Sequence, residues 1–508
     1  MSNAPAPGEL PARVEATLDA SAATMRGLRL GAAFKSGYGV GQIVESISTV
    51  TLNTFLFFYL TNVCGLSGSL TGIALFAALA IDAVADPVIG SISDNLRTRW
   101  GRRIPAMAVS LVPLALALGL LFSIPPLSGW ALFIRVLITV IALRISMSGF
   151  IVPYLGLGAE LSPDYDERSN VVAFRVIFGM LGMLIPLQLG FGTFLRGHDG
   201  LLDRTAYAHF GWALAASLWV AGMVATCASA TRPTHPPAAR ASAKHVTRRL
   251  LGEVLEVFRN PSFRMLFGGV LLFFVGQGLT NALGLDANRF FWSLSVSQIK
   301  TVSMSLVGGL ALGLPFGFAL VGRIEKRTTV LGGITIFAVA QGLPALLKIF
   351  GLIPNAITVE FTILIGAAIV AGVAATLVTI AFQSAMADAV DEHEHVFYAR
   401  REGLYFASLS FAFKAATGIG SMLAGLVLEA VRFPNAEMAK APARFLHISA
   451  PTLRGIGLAY GPVAAIITLA SVLFFVRYRI DRATHAAINV ELNRRRISSE
   501  CENAQLEL

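Results

Sequence analysis

Long apolar segments, separated by short polar ones, make up most of this chain. A helix needs about 20 mostly apolar residues to cross a bilayer, and about twelve segments reach that length. They lie near residues 36–62, 68–94, 104–123, 130–158, 169–195, 207–230, 263–292, 298–322, 328–350, 356–386, 402–431 and 454–477. The pattern predicts an all-α membrane protein of twelve transmembrane helices, numbered here as spans 1 to 12.

Composition agrees with a chain that faces lipid over most of its surface. Of the 508 residues, 55% are hydrophobic and 14% are charged, and the mean hydropathy is +0.68. A soluble domain usually carries about 25% charged residues. The three cysteines have no paired spacing, so we expect neither a disulfide framework nor a metal site. The lipid bilayer is therefore an expected partner.

Basic residues gather in alternate connecting segments. The formal net charge is +10, but segments such as NVCGLSGS and IPPLSG carry no Lys or Arg at all. This distribution argues against a nucleic-acid partner and follows the positive-inside rule. We therefore expect a multi-pass protein of the cell membrane, with the basic segments and both termini in the cytoplasm.

A Pro-rich and then basic segment lies between span 6 and span 7. It divides the spans into two sets of six, as expected for a chain built from two parallel repeats. The predicted organisation begins with a cytoplasmic tail (1–35), an N-terminal six-helix bundle (36–230) and a cytoplasmic linker (231–262). A C-terminal six-helix bundle (263–477) and a second cytoplasmic tail (478–508) follow.

Span 2 carries two carboxylates, Asp82 and Asp86. An Asp at the centre of a spanning helix costs about 2.5–3.5 kcal/mol on insertion scales. Residues four apart share one helix face, where two carboxylates repel unless a cation lies between them or one is protonated. Oxygen ligands suit Na⁺, Li⁺ or H⁺ better than a transition metal. The pair therefore predicts a cation site, and an internal salt bridge is the alternative.

Other charges lie inside spans 1, 5 and 11, at Glu45, Arg175 and Lys414. The planar donors of Arg175 could bind an anionic or hydroxyl-rich solute, or they could close a salt bridge with the Asp pair. We expect Glu45, Arg175, Lys414 and nearby Ser410 to line a cavity between the two halves.

Mixed acidic and basic runs follow spans 2, 4 and 10. AELSPDYDER and MADAVDEHEHVFYARREG stand at matching positions of the two halves. Such runs can be solvated loops, but we expect them also to latch the cytoplasmic face in one state. The expected latch residues are Asp94, Arg97, Arg102, Arg103, Glu160, Asp164, Arg168, Asp388, Asp391 and Arg401.

Two other functional classes fit the sequence less well. A channel would need rings of like charge or carbonyl filters repeated by symmetry, and the single asymmetric charges here do not provide them. A membrane enzyme would need a dense His and Asp cluster, and the run DEHEH at 391–395 is predicted to be a cytoplasmic loop. No GxxxxGK[ST] loop for ATP is present.

Three passages resemble the glycoside–pentoside–hexuronide:cation symporters. They are DAVADPVIGSISDNLRTRWGRRIP, VPYLGLGAELSPDYDERSNVVAFR and ADAVDEHEHVFYARREGLYFASLSFAFK, and together they cover both halves. The resemblance implies a major facilitator fold and cation-coupled symport of a sugar or glycoside-like solute by alternating access. It also implies no enzymatic activity, no cofactor beyond a coupling Na⁺ or H⁺, and a functional monomer.

The resemblance also assigns roles to residues. It implies that Asp82 and Asp86 bind the coupling cation with help from the hydroxyl of Ser148. It places Glu45 and Arg175 at the sugar, and Lys414 at a position that touches the substrate or the Asp pair.

Two positions depart from the family pattern. Ile151 stands where an Asp is found, and Leu155 replaces a stacking Trp. A galactoside needs hydroxyl partners and an apolar ring face, so both changes weaken a simple galactoside assignment. An apolar cavity would also fit an alternative solute, a lysolipid or another amphipathic molecule.

Overall fold

The computed structural model describes residues 30–96, 98–162, 164–197, 199–231, 256–321, 323–354, 356–399, 401–440, 448–478 and 480–506. Over these ranges the chain is helical and contains no β-strand, so the all-α prediction is confirmed. Most of the N-terminal tail, most of the linker, and Arg97 lie outside the described residues.

Twelve helical units follow the twelve predicted spans. Within the described ranges, eleven helices are long and apolar enough to cross a membrane; the first span is divided into four shorter helical segments. The bounds are α1 (Ala32–Gly39, Gly41–Val50, Thr51–Leu56 and Tyr59–Val63), α2 (Gly68–Asn95), α3 (Ile104–Leu121), α4 (Gly129–Glu160), α5 (Tyr165–Leu189, then Gly190–Phe194), α6 (Arg204–Ala230), α7 (Pro261–Asp286, then Ala287–Phe291), α8 (Val296–Val321), α9 (Lys326–Ile349), α10 (Ile357–Phe397), α11 (Glu402–Ala430) and α12 (Ala450–Leu458, Ala459–Val463, Ala464–Ala470 and Val472–Val476). Short helices at Gly200–Leu202 and Asn435–Lys440 lie between spans, and a last helix, α13, covers Arg482–Leu506.

Polar residues before several spans set the point at which each helix begins. Ser67, Asp164, Asp203 and Asn260 each accept a hydrogen bond from a backbone N–H of the helix that follows. The first N–H groups of a helix have no partner within it, and such caps supply one. At Asp203, hydrogen bonds from the Thr205 hydroxyl at 2.6 Å and from backbone N–H groups lower the pKa of the carboxyl.

Helix α10 extends far past the end of its predicted span. Its 41 residues are about 60 Å long, twice the thickness of a hydrocarbon core of about 30 Å. The DEHEH run therefore belongs to a helix, and its assignment to a loop was wrong. The extension packs on α13: His485 Nε2 lies 3.2 Å from Asp391 Oδ2, and Arg495 Nη1 donates to the His395 carbonyl at 3.0 Å.

The two halves pack closely at the end that lacks the basic segments. Helices α2 and α11 approach so tightly that a Cβ on Gly425 would collide with the carbonyl oxygen of Gly68. At the same end Asn62 of α1 donates a hydrogen bond of 2.8 Å to Asp286 of α7, and both residues are buried. This end of the molecule is closed.

At the basic end the described ion pairs hold each half together separately. Glu160 binds Arg102 at 2.5 Å and Arg103 at 2.7 Å within the N-terminal half, while Lys326 binds Asp388 at 2.7 Å within the C-terminal half. Each of these ion pairs joins residues of one half. The contacts that join the halves are thus concentrated toward the closed end.

The Gly425 contact predicts that a single methyl group would open the closed end. In Gly425→Ala the new Cβ meets the backbone of α2, which cannot rotate away, and overpacking of this kind costs about 1–3 kcal/mol. We expect the distance between spin labels at the exposed positions 130 and 350, one in each half, to lengthen. Gly366→Ala is the control, because a Cβ there meets nothing within 4 Å. An unchanged distance distribution in Gly425→Ala would contradict the prediction.

Candidate ion and solute site

The two carboxylates of α2 face α11, a helix of the other half. Lys414 Nζ lies 2.8 Å from Asp82 Oδ2 and 2.5 Å from Asp86 Oδ2. The ammonium group therefore stands between the two carboxylates, in the position where two acids on one helix face need a positive charge. In this conformation a side chain of the opposite half provides that charge.

Helix α4 supplies the remaining partners of Asp82. Ser148 Oγ donates to Asp82 Oδ1 at 2.7 Å, and Arg144 Nη1 lies 4.0 Å from Asp82 Oδ2. Arg144 and Ser148 are four residues apart and so share one face of α4. Asp82 is buried, whereas the side chain of Asp86 is 32% exposed. Only Asp86 of the pair has open space beside it.

A second polar cluster joins α1 to α5 through Gln42. Its amide nitrogen donates to Glu45 Oε2 at 2.5 Å, and its amide oxygen accepts from Arg175 Nε at 3.1 Å and Nη2 at 3.0 Å. The structure thus brings Glu45 and Arg175 together by way of a third residue. The cluster offers both donors and acceptors to a hydroxyl-rich molecule.

An aromatic ring lies against this cluster. The Arg175 guanidinium carbon is 5.4 Å from the centre of the Tyr154 ring. Tyr154 stacks on Tyr38 at 4.6 Å, and each hydroxyl donates to the other residue's carbonyl, at 2.7 and 3.0 Å. Tyr154 lies six positions after Ser148 on α4, about 9 Å along the helix axis. The two polar clusters are therefore neighbours along α4.

The other residues selected from the sequence lie around these clusters or at the basic end. Ser410 is exposed on α11, one turn before Lys414. Among the expected latch residues, Arg103 also contacts Asp94 at 3.1 Å, Asp164 caps α5, and Arg401 lies 3.8 Å from Glu256. The rest of that set is placed as follows: Arg102 and Glu160 pair with each other, Asp388 pairs with Lys326, Asp391 lies beside His485, and Arg168 is exposed on α5.

Sequence reasoning missed Arg144, Gln42 and Tyr154. Arg144 has the same signal that selected Arg175, a charge in the middle of an apolar span. Gln42 lies three residues before Glu45, within reach on one helix face. Tyr154 has no chemical signal of its own and is recognisable only from its place in the packed structure.

Twelve spans in two halves, with a polar site where the halves meet, define a membrane transporter of the major facilitator type. The chain matches the MFS/sugar transport protein family over residues 37–482 and belongs to it. The resemblance noted from the sequence is thereby confirmed, as is the expectation of a transporter rather than an enzyme.

Relatives and solved structures agree with this assignment. An uncharacterized symporter of Synechocystis sp. is 24% identical, covering 91% of this chain and 96% of that protein. The isoprimeverose transporter of Lactiplantibacillus pentosus is 25% identical, covering 77% and 79%. The fold is similar to the inward-open conformation of the xylose transporter XylE from Escherichia coli, with a TM-score of 0.58 at 14% identity, covering 88% and 95%.

The unequal surroundings of the acidic pair predict unequal effects on stability. Asp82→Asn removes the charge that balances Arg144, and breaking a buried ion pair in this way costs about 3–5 kcal/mol. Asp86→Asn removes a more exposed charge, for which about 0–1 kcal/mol is usual. We expect thermal unfolding in detergent to begin at a clearly lower temperature in Asp82→Asn than in Asp86→Asn. Equal midpoints for the two variants would show that burial does not distinguish them.

Proposed function

We propose that this protein is a secondary active transporter that carries a sugar or glycoside-like solute together with Na⁺ or H⁺. The observation that supports this most strongly is the position of Lys414. A cation of one half balances two intramembrane carboxylates of the other half, so the charge balance at the pair depends on how the halves are arranged.

Competition between Lys414 and the transported ion provides the coupling. When the halves rock, α11 withdraws Lys414 from α2, and the carboxylates then require another cation. An ion that binds in that state allows the halves to return. On return, the ammonium group takes its place beside Asp86 and the ion leaves through the open end.

The Gln42 cluster is proposed to bind the solute. Glu45 and Arg175 offer the hydrogen-bond acceptors and donors that a hydroxyl-rich ring requires, and the fully buried Tyr154 ring supports the Arg175 guanidinium from behind. The name of the isoprimeverose transporter, which is similar over most of its length, supports a sugar. The exposed side chain of Leu155 supports the alternative, a lysolipid or other amphipathic solute.

The basic end is proposed to face the cytoplasm, together with both termini. The closed end then faces outward, and the described conformation is the inward-open one, in which the ion and the solute are released. Residues 36–230 and 263–477 are proposed as the two moving halves of a functional monomer.

The proposed coupling to an ion predicts that accumulation of the solute depends on Asp86. Purified protein in proteoliposomes is screened with sugars, uronides and lysolipids under a sodium gradient and separately under a pH gradient. One charge crossing 100 mV supplies about 2.3 kcal/mol, enough for nearly fiftyfold accumulation. We expect Asp86→Asn to lose accumulation but retain solute exchange, because the solute-binding side chains lie on other helices. Arg135→Gln, a change elsewhere on α4, is the control. Gradient-driven accumulation by Asp86→Asn at the normal level would refute the coupling site.

The proposed solute site predicts that Arg175 is needed for binding of the solute. Arg175→Ala removes two hydrogen bonds to Gln42 and the contact with Tyr154. Hydrogen bonds to charged groups are worth about 1.5–3 kcal/mol, so uptake should fall at least about tenfold in protein that still reaches the membrane. Arg175→Lys keeps the charge but not the planar pair of donors, and we expect it to fail as well. Near-normal uptake by Arg175→Ala would show that the arginine does not bind solute.

A further inference from the structure

Arg144 lies in the middle of α4, with its Nη1 4.0 Å from Asp82 Oδ2. Its side chain is 14% exposed, and Asp82 is the carboxylate within ion-pair distance among the described residues. Its Nε is buried without a hydrogen-bond partner. An arginine at this depth is costly unless a negative charge compensates it, so Arg144 and Asp82 depend on each other.

Four charges meet at the site, and they sum to zero. Asp82 and Asp86 contribute two negative charges, while Lys414 and Arg144 contribute two positive ones. The positive charges differ in where they are attached. Lys414 belongs to the C-terminal half, whereas Arg144 belongs to α4, which packs along α2 within the N-terminal half.

Rocking of the halves would therefore remove one positive charge and leave the other. With Lys414 withdrawn, the remaining Asp82, Asp86 and Arg144 carry a net charge of −1. One monovalent cation restores neutrality, and a divalent ion or a second cation would exceed it. Without Arg144 the same pair would carry −2.

We propose that Arg144 is a permanent counter-ion of Asp82, which limits the transport site to a single monovalent cation, bound at Asp86 in exchange with Lys414. This inference rests on the proposed function, because it assigns roles within the same ion site. Arg144 thereby determines how many cations the site binds and how tightly it binds them, without touching the solute.

The test uses purified full-length protein in which Lys414→Met imitates the withdrawn lysine. Equilibrium binding of ²²Na⁺ is measured in this variant and after adding Arg144→Gln or Arg144→Lys. We expect one Na⁺ per chain with Lys414→Met alone. Adding Arg144→Gln should tighten Na⁺ binding at least about tenfold, because an opposite charge next to an acid shifts its equilibrium by 1–3 powers of ten. Arg144→Lys should behave like the parent, and so should Arg135→Gln, which lies nine residues earlier on α4.

If the site takes protons instead of Na⁺, the same variants are compared by proton uptake. Loss of the Arg144 charge removes the cation that favours the ionised carboxylates. The pH of half-maximal uptake should therefore move upward, by about one unit or more. Asp82, Asp86, Lys414 and Arg144 are the charged groups that face one another here, with Ser148 as the neutral partner.

Ion binding unchanged by Arg144→Gln would overturn the inference about Arg144 and leave the coupling site standing. Absence of Na⁺ binding and proton uptake in every variant would overturn the coupling site and this inference together. If Arg144→Gln does not fold, thermal stability of the Asp82 variants tests whether Arg144 and Asp82 are paired. Asp82→Asn should be destabilised, and Asp82→Asn with Arg144→Gln should recover, because neither charge is then left alone. No recovery in the double variant would refute the pairing.

Discussion

The buried carboxylate of Asp82 imposes the constraint on which the rest of the structure depends. A negative charge inside a bilayer must be balanced close by, and here Ser148, Arg144 and Lys414 converge on it from two other helices. Because α4 and α2 belong to one half, part of this balance is permanent. Because Lys414 comes from the other half, the rest holds only while the two halves are in this arrangement. A local electrostatic requirement is thereby linked to a movement of the whole molecule.

The two ends of the molecule use different forces. At the closed end the halves meet through glycine backbones on α2 and α11, where the lack of side chains permits close van der Waals packing. At the basic end, the described ion pairs stabilise each half by itself. Parting the halves at the closed end separates this small-residue packing and the Asn62–Asp286 hydrogen bond. The halves can therefore part at either end without breaking the salt bridges that keep each one rigid.

The Gln42 cluster, proposed as the solute site, is held in place by its own contacts before any solute binds. Gln42 bonds to both Glu45 and Arg175, and the Tyr38–Tyr154 pair is locked by two reciprocal hydrogen bonds to backbone carbonyls. Side chains fixed in this way lose little further freedom when a ligand binds, which favours affinity. The cluster lies on α1, α4 and α5, so the proposed solute site and the acidic pair belong to the same half.

The sequence by itself determined the spans, the division into two halves, the family and the identity of most charged residues in the site. These follow from patterns local in the chain: apolar length, four-residue spacing on a helix, and clusters of Lys and Arg. Only the tertiary structure decided which groups meet. It placed Lys414 on Asp86, 328 positions away, and Arg175 on Gln42, 133 positions away. It also showed that Arg144 shares Asp82 and that α10 continues through the DEHEH run. The reason is physical. Spanning helices are apolar around most of their circumference, so hydrophobic periodicity does not indicate which face turns toward a neighbour. Helix orientation in lipid is set by close packing and by the pairing of buried polar groups, and both exist only between helices distant in sequence.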